Sequence, residues 1–322
     1  MKAPLVSILV NAYNAERYIA EALDSALAQT YSNIEVIVLD DHSTDRTSAI
    51  VHEYAAGDGR VHYLKPAKRV GLTQGRNELL RASRGEYLTY LDADDIYMPG
   101  KVEEEVDFLA THQEYALVYC NIIFFFDGVP GTTYRHRYTF YSGEDVFPHL
   151  LEMMFIANTS TMFRREVYDR LGGYRTDLGL VEDWEYFLRL TYAGYKIAFL
   201  DRDLVRYRLR WDSHTNFARQ ADIKQSAVKI FENLKEQMSE ADRARYRIDY
   251  WIAMRKETYA IALTAVGQGN EARRIVADIQ AYVAPIKRAA IIFLSYFPTR
   301  FVAFIMERAW NYRKKNLFVE VA

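Results

Sequence analysis

Residues 4–45 read PLVSILVNAYNAERYIAEALDSALAQTYSNIEVIVLDDHSTD, and the order of patterns in them decides the fold. Leu5–Val10 is a short apolar run. Ala15–Gln29 carries Ile19, Leu23 and Leu27 at helical spacing, and Ile34–Leu39 is a second buried-strand run ending on Asp40 and Asp41. Ser43, Thr44 and Asp45 offer caps for a helix over Thr47–Ala55. Further along, Val61–Leu64 and Tyr87–Leu91 read as strands and Thr73–Ala82 as the helix between them. A β-α-β-α-β-α-β order predicts an α/β fold built on a mostly parallel sheet with helices on its faces.

Beyond this, Lys101–His112 reads as a helix, Ala116–Phe126 as a long strand, Thr132–Tyr141 as an edge strand and Thr159–Phe163 as a short one. A turn at Leu171–Tyr174 precedes a helix over Glu182–Ala193, then strand-like runs at Lys196–Leu200 and Leu204–Arg210. From about residue 215 the pattern is helical, over 218–238, 240–266, 270–282 and 286–315. The expected division is a catalytic region of residues 1–214, with halves meeting near 115, and a helical region of residues 215–322.

With 322 residues, half of them hydrophobic, and 26% charged, the chain is neither disordered nor fibrous. Its one cysteine, Cys120, excludes a disulfide framework and a cysteine zinc site, and its apolar surroundings suit an inert core thiol. Met1–Pro4 lead straight into a strand-like run with no leader pattern, so the cytoplasm is the expected compartment. Charge is uneven: residues 1–214 carry 23 Lys and Arg against 32 Asp and Glu, and residues 215–322 carry 18 against 11. An acidic body argues against nucleic acid as the partner of the main domain. It suits a bound cation, and the basic tail suits something anionic.

Ligands of open α/β sheets bind beyond the carboxyl ends of the strands. Asn11–Asn14, Asp40-Asp41, Gly71–Asn77 and Asp92–Asp95 all fall at such ends. One Asp after a strand is an ordinary helix cap. Three carboxylates within four residues, Asp92, Asp94 and Asp95, repel one another unless a cation lies between them. Oxygen ligands without neighbouring histidines favour Mg²⁺ or Mn²⁺ over zinc.

The opening stretch resembles that of a family 2 glycosyltransferase with the GT-A fold. The likeness continues through GLTQGRNELLRASRGEYLTYLDADDIYMPGKVEEEV at 71–106, TSTMFRREVYDRLGGY at 159–174 and VEDWEYFLRL at 181–190. Four motifs in order make this specific, where a lone DxD would not be. The resemblance implies transfer of a sugar from a nucleoside diphosphate to a glycan or lipid-linked hydroxyl, with inversion, in cell-surface polysaccharide synthesis. It places Asn11, Tyr13 and Asp41 in a nucleotide-base pocket that favours UDP, with Asp40 beside it. Arg76 would reach the base or diphosphate. Asp92 and Asp94 would hold Mn²⁺ or Mg²⁺ against the diphosphate, with Asp95 orienting them. Asp183, in Glu182-Asp183-Trp184, would be the general base, and Trp184 an acceptor platform. The residue-level alternatives are a solvated or salt-bridged Arg76, helix-start acids at 182–183 and a buried Trp184.

One departure is plain. Where the family often reads YRxH, this chain reads Tyr207-Arg208-Leu209-Arg210. Arg210 would then meet the diphosphate itself, or His214 would replace the lost contact, and a third metal ligand is in doubt. In the tail, the apolar run Ala289–Met306 is broken by Ser295, Pro298, Thr299 and Arg300, against a membrane span. Its basic flanks suit peripheral contact of residues 285–316 with the inner face of a membrane. The alternative is packing on the body or in a homodimer. A phosphatase would need the DxD on its first strand. A glycosidase would have no use for the Asp40-Asp41 pocket. A non-catalytic scaffold relative is the competing reading, against which Asp92, Asp94 and Asp183 stand intact.

Overall fold

The apolar runs at the start of the chain become neighbouring inner strands. In the computed structural model, which describes residues 3–127, 133–136, 140–143, 146–210, 219–297, 302 and 318–321, β1 (Val6–Ala12) runs parallel to β2 (Ile34–Asp40). β3 (Val61–Leu64) extends this parallel set beyond β2, and β4 (Tyr87–Tyr90) lies parallel to β1 on its other side. Every position of β2 is buried, as expected of a strand covered on both faces. The connections carry α1 (Ile19–Leu27), α2 (Thr47–Gly57) and α3 (Leu72–Ala82). Parallel strands joined by helices bring the carboxyl ends of β1, β2 and β4 to one rim.

The later strands are mixed in direction. After β5 (Ile96–Tyr97) and α4 (Lys101–Thr111) come β6 (Tyr115–Phe126), β7 (Thr133–His136) and α5 (Val146–Glu152). A single 3-10 turn at Asn158–Ser160 leads into β8 (Thr161–Arg164), α6 (Arg165–Leu171), α7 (Glu182–Tyr192) and β9 (Lys196–Leu209). β8 is antiparallel to both β4 and β6, and so joins the parallel half to the rest of the sheet. β6 is antiparallel to β7 and parallel to β9, and β5 pairs antiparallel with β9. The strand order is β10-β7-β6-β8-β4-β1-β2-β3, where β10 is Phe318–Val321. This is the α/β GT-A arrangement, followed by a helical C-terminal region.

Some boundaries differ from the sequence pattern, each for a local reason. α1 starts at Ile19 because the amides of Tyr18 and Ile19 both donate to Ala15 O, closing a tight turn first. The two runs expected over 196–210 form the single strand β9, with exposed Asp201 and Arg202 beside a register shift opposite Cys120 and Asn121. The helix expected over 240–266 is two, α9 (Glu240–Arg245) and α10 (Ile248–Ala265), parted by Arg247 at φ 52°. α8 (Gln220–Gln237) precedes them, and α11 (Gly269–Asp278) and α12 (Pro285–Leu294) follow. Residues 298–301 and 303–316 of the apolar-basic tail, and His214, lie outside the described residues. Among the described residues no helix is long and apolar enough to cross a membrane.

Two compact units result. Met1–Thr176, Tyr186–Arg210 and Val319–Ala322 make the first, and Asp177–Glu185 with Trp211–Phe318 make the second. The first holds the main apolar core, in which Ile8, Val10, Val36 and Val38 pack with Leu23 and Val106.

A buried ion pair lies in this unit. Lys101 Nζ lies 2.6 Å from Glu105 Oε2, with both side chains fully buried, and also donates to Thr89 Oγ1. Burial pushes the Glu105 carboxyl up to about 7 against the pull of Lys101. Breaking one half of a buried pair strands the other. Lys101→Met is therefore expected to cost about 3–5 kcal/mol in urea denaturation, and Lys101→Met with Glu105→Leu to recover most of it. Because the folded pKa exceeds the ordinary 4.5, the native state holds the extra proton. The wild-type contribution therefore falls as pH rises from there through 7. Equal losses in the single and double variants would contradict this account.

Candidate active site

The first turn of α3 ties the rim together. Just before it, the amides of Val70 and Gly71 donate to the two oxygens of Asp41 at 2.7 and 2.9 Å. Leu72 O accepts from Asn11 Nδ2 at 3.3 Å. A Cβ at Gly75 would lie 2.8 Å from Asn11 Nδ2, so the Asn11 amide needs glycine at this point of α3. One turn on, Arg76 is buried and its Nη2 stands 3.3 Å from Asp92 Oδ1. Asn11, Asp41, Arg76 and Asp92, from β1, β2, α3 and the end of β4, are thus linked side by side.

The Asp41 end of this row is built from short loops. Asp40 is fully buried and accepts from Ser43 N and Tyr63 OH, both at 2.9 Å, which fixes the loop after β2. Asp41 has each oxygen bonded once to backbone, leaving further lone pairs for a ligand N–H. Tyr13 is partly exposed, and the Arg69 guanidinium sits 3.8 Å from its ring centroid and 3.8 Å from Asp41 Oδ2. Arg69 escaped sequence reasoning, since a lone Arg in a polar loop carries no pattern. His42 Nε2 contacts Pro66 O at 2.9 Å, a loop contact.

The acidic end is a crowd of carboxylates laced with arginine. Burial first, then the Asp92 charge, push the Asp94 carboxyl up, and Arg210 opposes them. Arg210 Nε lies 3.3 Å from Asp94 Oδ2, so the arginine at the family's His position meets the second carboxylate of the DxD. Asp95 is almost wholly buried. Its Oδ1 accepts from Arg208 N at 3.0 Å, its Oδ2 has no hydrogen-bond partner, and burial with the charges of Asp92 and Asp94 raises it strongly. Arg208 donates from Nε to Asp94 O at 2.9 Å and from Nη1 to Asp127 at 3.0 Å, and its Nη2 reaches Glu21. Arg208 therefore braces the loop after β4 from β9. The Tyr-Arg pair at 207–208 was the signal that could have marked it.

Asp92 and Asp94 suit a divalent cation. Among the described residues no group of three or more His, Cys, Asp or Glu is arranged to hold one alone. A hard ion such as Mg²⁺ is commonly held by one or two carboxylates plus substrate phosphate oxygens and water. The raised Asp94 and the unpartnered Asp95 Oδ2 mark negative charge in excess of its protein partners, as such a cation would need.

Asn77, also on α3, makes a two-way clamp. Its Nδ2 donates to Tyr174 O and its Oδ1 accepts from Tyr174 N, both at 2.8 Å. A Cβ at Gly173 would meet Asn77 Oδ1 at 2.2 Å, so the Gly-Gly-Tyr turn is shaped by this clamp.

In the second unit, Glu182-Asp183-Trp184 opens α7. Glu182 is buried, and Asp183 Oδ1 accepts from Trp184 N at 2.8 Å. Trp184 is buried in an edge contact with Phe231, ring centroids 5.3 Å apart, with the Arg255 guanidinium 4.8 Å from its ring. It packs as core. Val181, just before the motif, has φ 61°, where a β-branched residue is strained. Asn14 and His42 at the rim also have positive φ, so three of the four such non-glycine residues described lie in the sequence-predicted motifs or beside them. Strain of this kind gathers where a side chain must be held in one place.

Comparison with known proteins agrees with this architecture. The model of the family described as Glycosyl transferase family 2 matches residues 7–172. An uncharacterized glycosyltransferase of Methanocaldococcus jannaschii is 25% identical over 65% of this chain and 72% of its own. The provisionally named glycosyltransferase EpsE of Bacillus subtilis is 31% identical over 65% of this chain and 74% of its own. Among solved structures, S. aureus TarS 1-349 in complex with UDP-GlcNAc superposes with a TM-score of 0.63 at 18% identity, covering 94% of this chain and 92% of that one. The mannosyltransferase PcManGT from Pyrobaculum calidifontis, in complex with GDP-Man and Mn²⁺, gives 0.60 at 19%, covering 94% and 84%. A family model matched over half the chain, with sequence relatives and folds in agreement, is sufficient: the chain belongs to glycosyltransferase family 2.

Proposed function

We propose that the protein moves a sugar from a nucleoside diphosphate, UDP by preference, to a hydroxyl of a glycan or lipid-linked acceptor in cell-surface polysaccharide synthesis, with inversion at the anomeric carbon. The observation that carries this is the gathering of Asp41, Asn11, Arg76, Asp92 and Asp94 along one rim, the first two tied to the start of α3 and the two aspartates at 92 and 94 each met by an arginine. Its base end has acceptors and its phosphate end has cations and carboxylates. TarS in complex with UDP-GlcNAc and PcManGT in complex with GDP-Man and Mn²⁺ support a nucleotide sugar as donor.

In this reading Asp41 accepts a base N–H, with Tyr13 and Arg69 flanking it. Arg76 and Arg210 bind diphosphate oxygens, and Asp92 and Asp94 hold the cation. Bound there, a cation would supply positive charge against the leaving diphosphate. Asp183 accepts the proton of the acceptor hydroxyl while that oxygen bonds to the anomeric carbon and the bond to the phosphate oxygen breaks. The electron pair of that bond stays with the nucleoside diphosphate.

The test is nucleoside diphosphate release from a panel of UDP-, dTDP- and GDP-sugars, with Mn²⁺ or Mg²⁺ and then EDTA. Release from UDP-sugars that stops with EDTA is expected. Guanine also presents N–H donors to a carboxylate, so a GDP-sugar preference would revise the base and keep the reaction. Failure of every nucleotide sugar to bind in calorimetry would overturn the catalytic reading in favour of a scaffold.

A further inference from the structure

The second unit turns an apolar face outward. Of the eight large hydrophobic side chains exposed among the described residues, five lie between Tyr282 and Tyr296. In α12 only Ile291 is buried, packed on Ala260, Leu263 and Val276. Ile286 is 80% exposed and Phe293 61%, and Tyr296 just beyond the helix is 70% exposed. Positions 286, 289, 293 and 296 follow at helical spacing, so they form one stripe. Scattered exposed residues are ordinary, but a contiguous stripe of this kind marks an interaction surface.

Charge decides what it meets. Lys287 is 60% exposed although its Nζ pairs with Glu257 at 3.0 Å, Arg288 is half-buried beside it, and the Arg273 guanidinium lies 4.3 Å from the Tyr296 ring. Between residues 300 and 315 the sequence adds five basic residues against one acidic, Glu307. A two-fold contact between copies would set this patch against itself and place like charges face to face. An anionic lipid surface neutralises them instead. Bulky aliphatic and aromatic groups with basic flanks are the composition of a helix lying in the membrane interface.

We infer that α12 and the turn through Tyr296 dock the protein on an anionic membrane surface, with Ile286, Phe293 and Tyr296 entering the headgroup boundary. This does not depend on the catalytic reading, since it is read without donor or acceptor. The experiment is flotation of the full chain with vesicles of phosphatidylcholine, with and without phosphatidylglycerol. Wild type is expected to float with the anionic vesicles, less so in high salt. Ile286→Glu with Phe293→Glu should reduce partitioning by about tenfold or more. Phe293→Leu should retain it, and none of these variants should lower Tm. No flotation of wild type, or equal flotation of the charged variant, would overturn the inference. So would a charged variant that loses Tm as a core substitution does, because the face would then be covered by its own chain. A wild-type dimer in light scattering, lost in the charged variant, would assign the face to a second copy and overturn it too.

Discussion

Replacing Asp94 by Asn should lower nucleoside diphosphate release by about a thousandfold while leaving Tm unchanged or higher. The two halves have one cause. Burial and the neighbouring Asp92 charge both press on the Asp94 carboxyl, so its ionised form is a burden to the folded chain. Asparagine keeps the shape and removes the charge. On the proposed reading, what is lost is a negative oxygen for the cation, together with the partner of Arg210 at 3.3 Å. Proteins commonly hold such unfavourable charge where a ligand will repay it. Mn²⁺ titration in the presence of UDP should show weakened binding in Asp94→Asn, with UDP affinity in the absence of metal retained. A variant that keeps wild-type release would remove Asp94 from the site. One that loses activity and stability together would make it structural.

The parallel half of the fold was legible because its signals are local. β1, β2 and β3 are apolar runs separated by helices, and the ends of β2 and β4 are marked by carboxylates. The rim followed from that order, since strand ends and a ligand crevice coincide in such sheets. The later elements depend on partners distant in sequence. β5 has two residues and exists because β9 lies beside it, and Asp201 and Arg202 break a strand pattern that pairing with β6 carries through. Arg208 read as part of a short motif, and its role as a brace appears only when β9 brings it to Asp94, Asp127 and Glu21. Arg69 is the same case: stacking on Tyr13 across 56 residues of chain leaves no periodicity to read. Trp184 shows the opposite limit. A tryptophan beside two carboxylates suggests a sugar platform, but its burial on Phe231 depends on a helix far along the chain.

Asp183→Asn is expected to reduce sugar transfer by about 10²–10⁴-fold, with donor binding and Tm retained. An amide has no lone pair basic enough to take the acceptor proton, so the loss should fall on kcat and leave the donor KM near wild type. The corner before it offers an independent check. Val181 at φ 61° bears the cost of a β-branched side chain in the left-handed region, about 1–2 kcal/mol. Glycine takes that conformation freely, so Val181→Gly should be no less stable than wild type, apart from the added freedom of its unfolded chain. If the strain serves to aim Asp183, the same change should slow transfer by about tenfold, because small misplacement of a reacting group is costly. Asp183→Asn and Val181→Gly combined should then be no slower than Asp183→Asn alone, since a missing base cannot be misplaced. Full additivity of the two losses would mean that Val181 acts on the rate by another route.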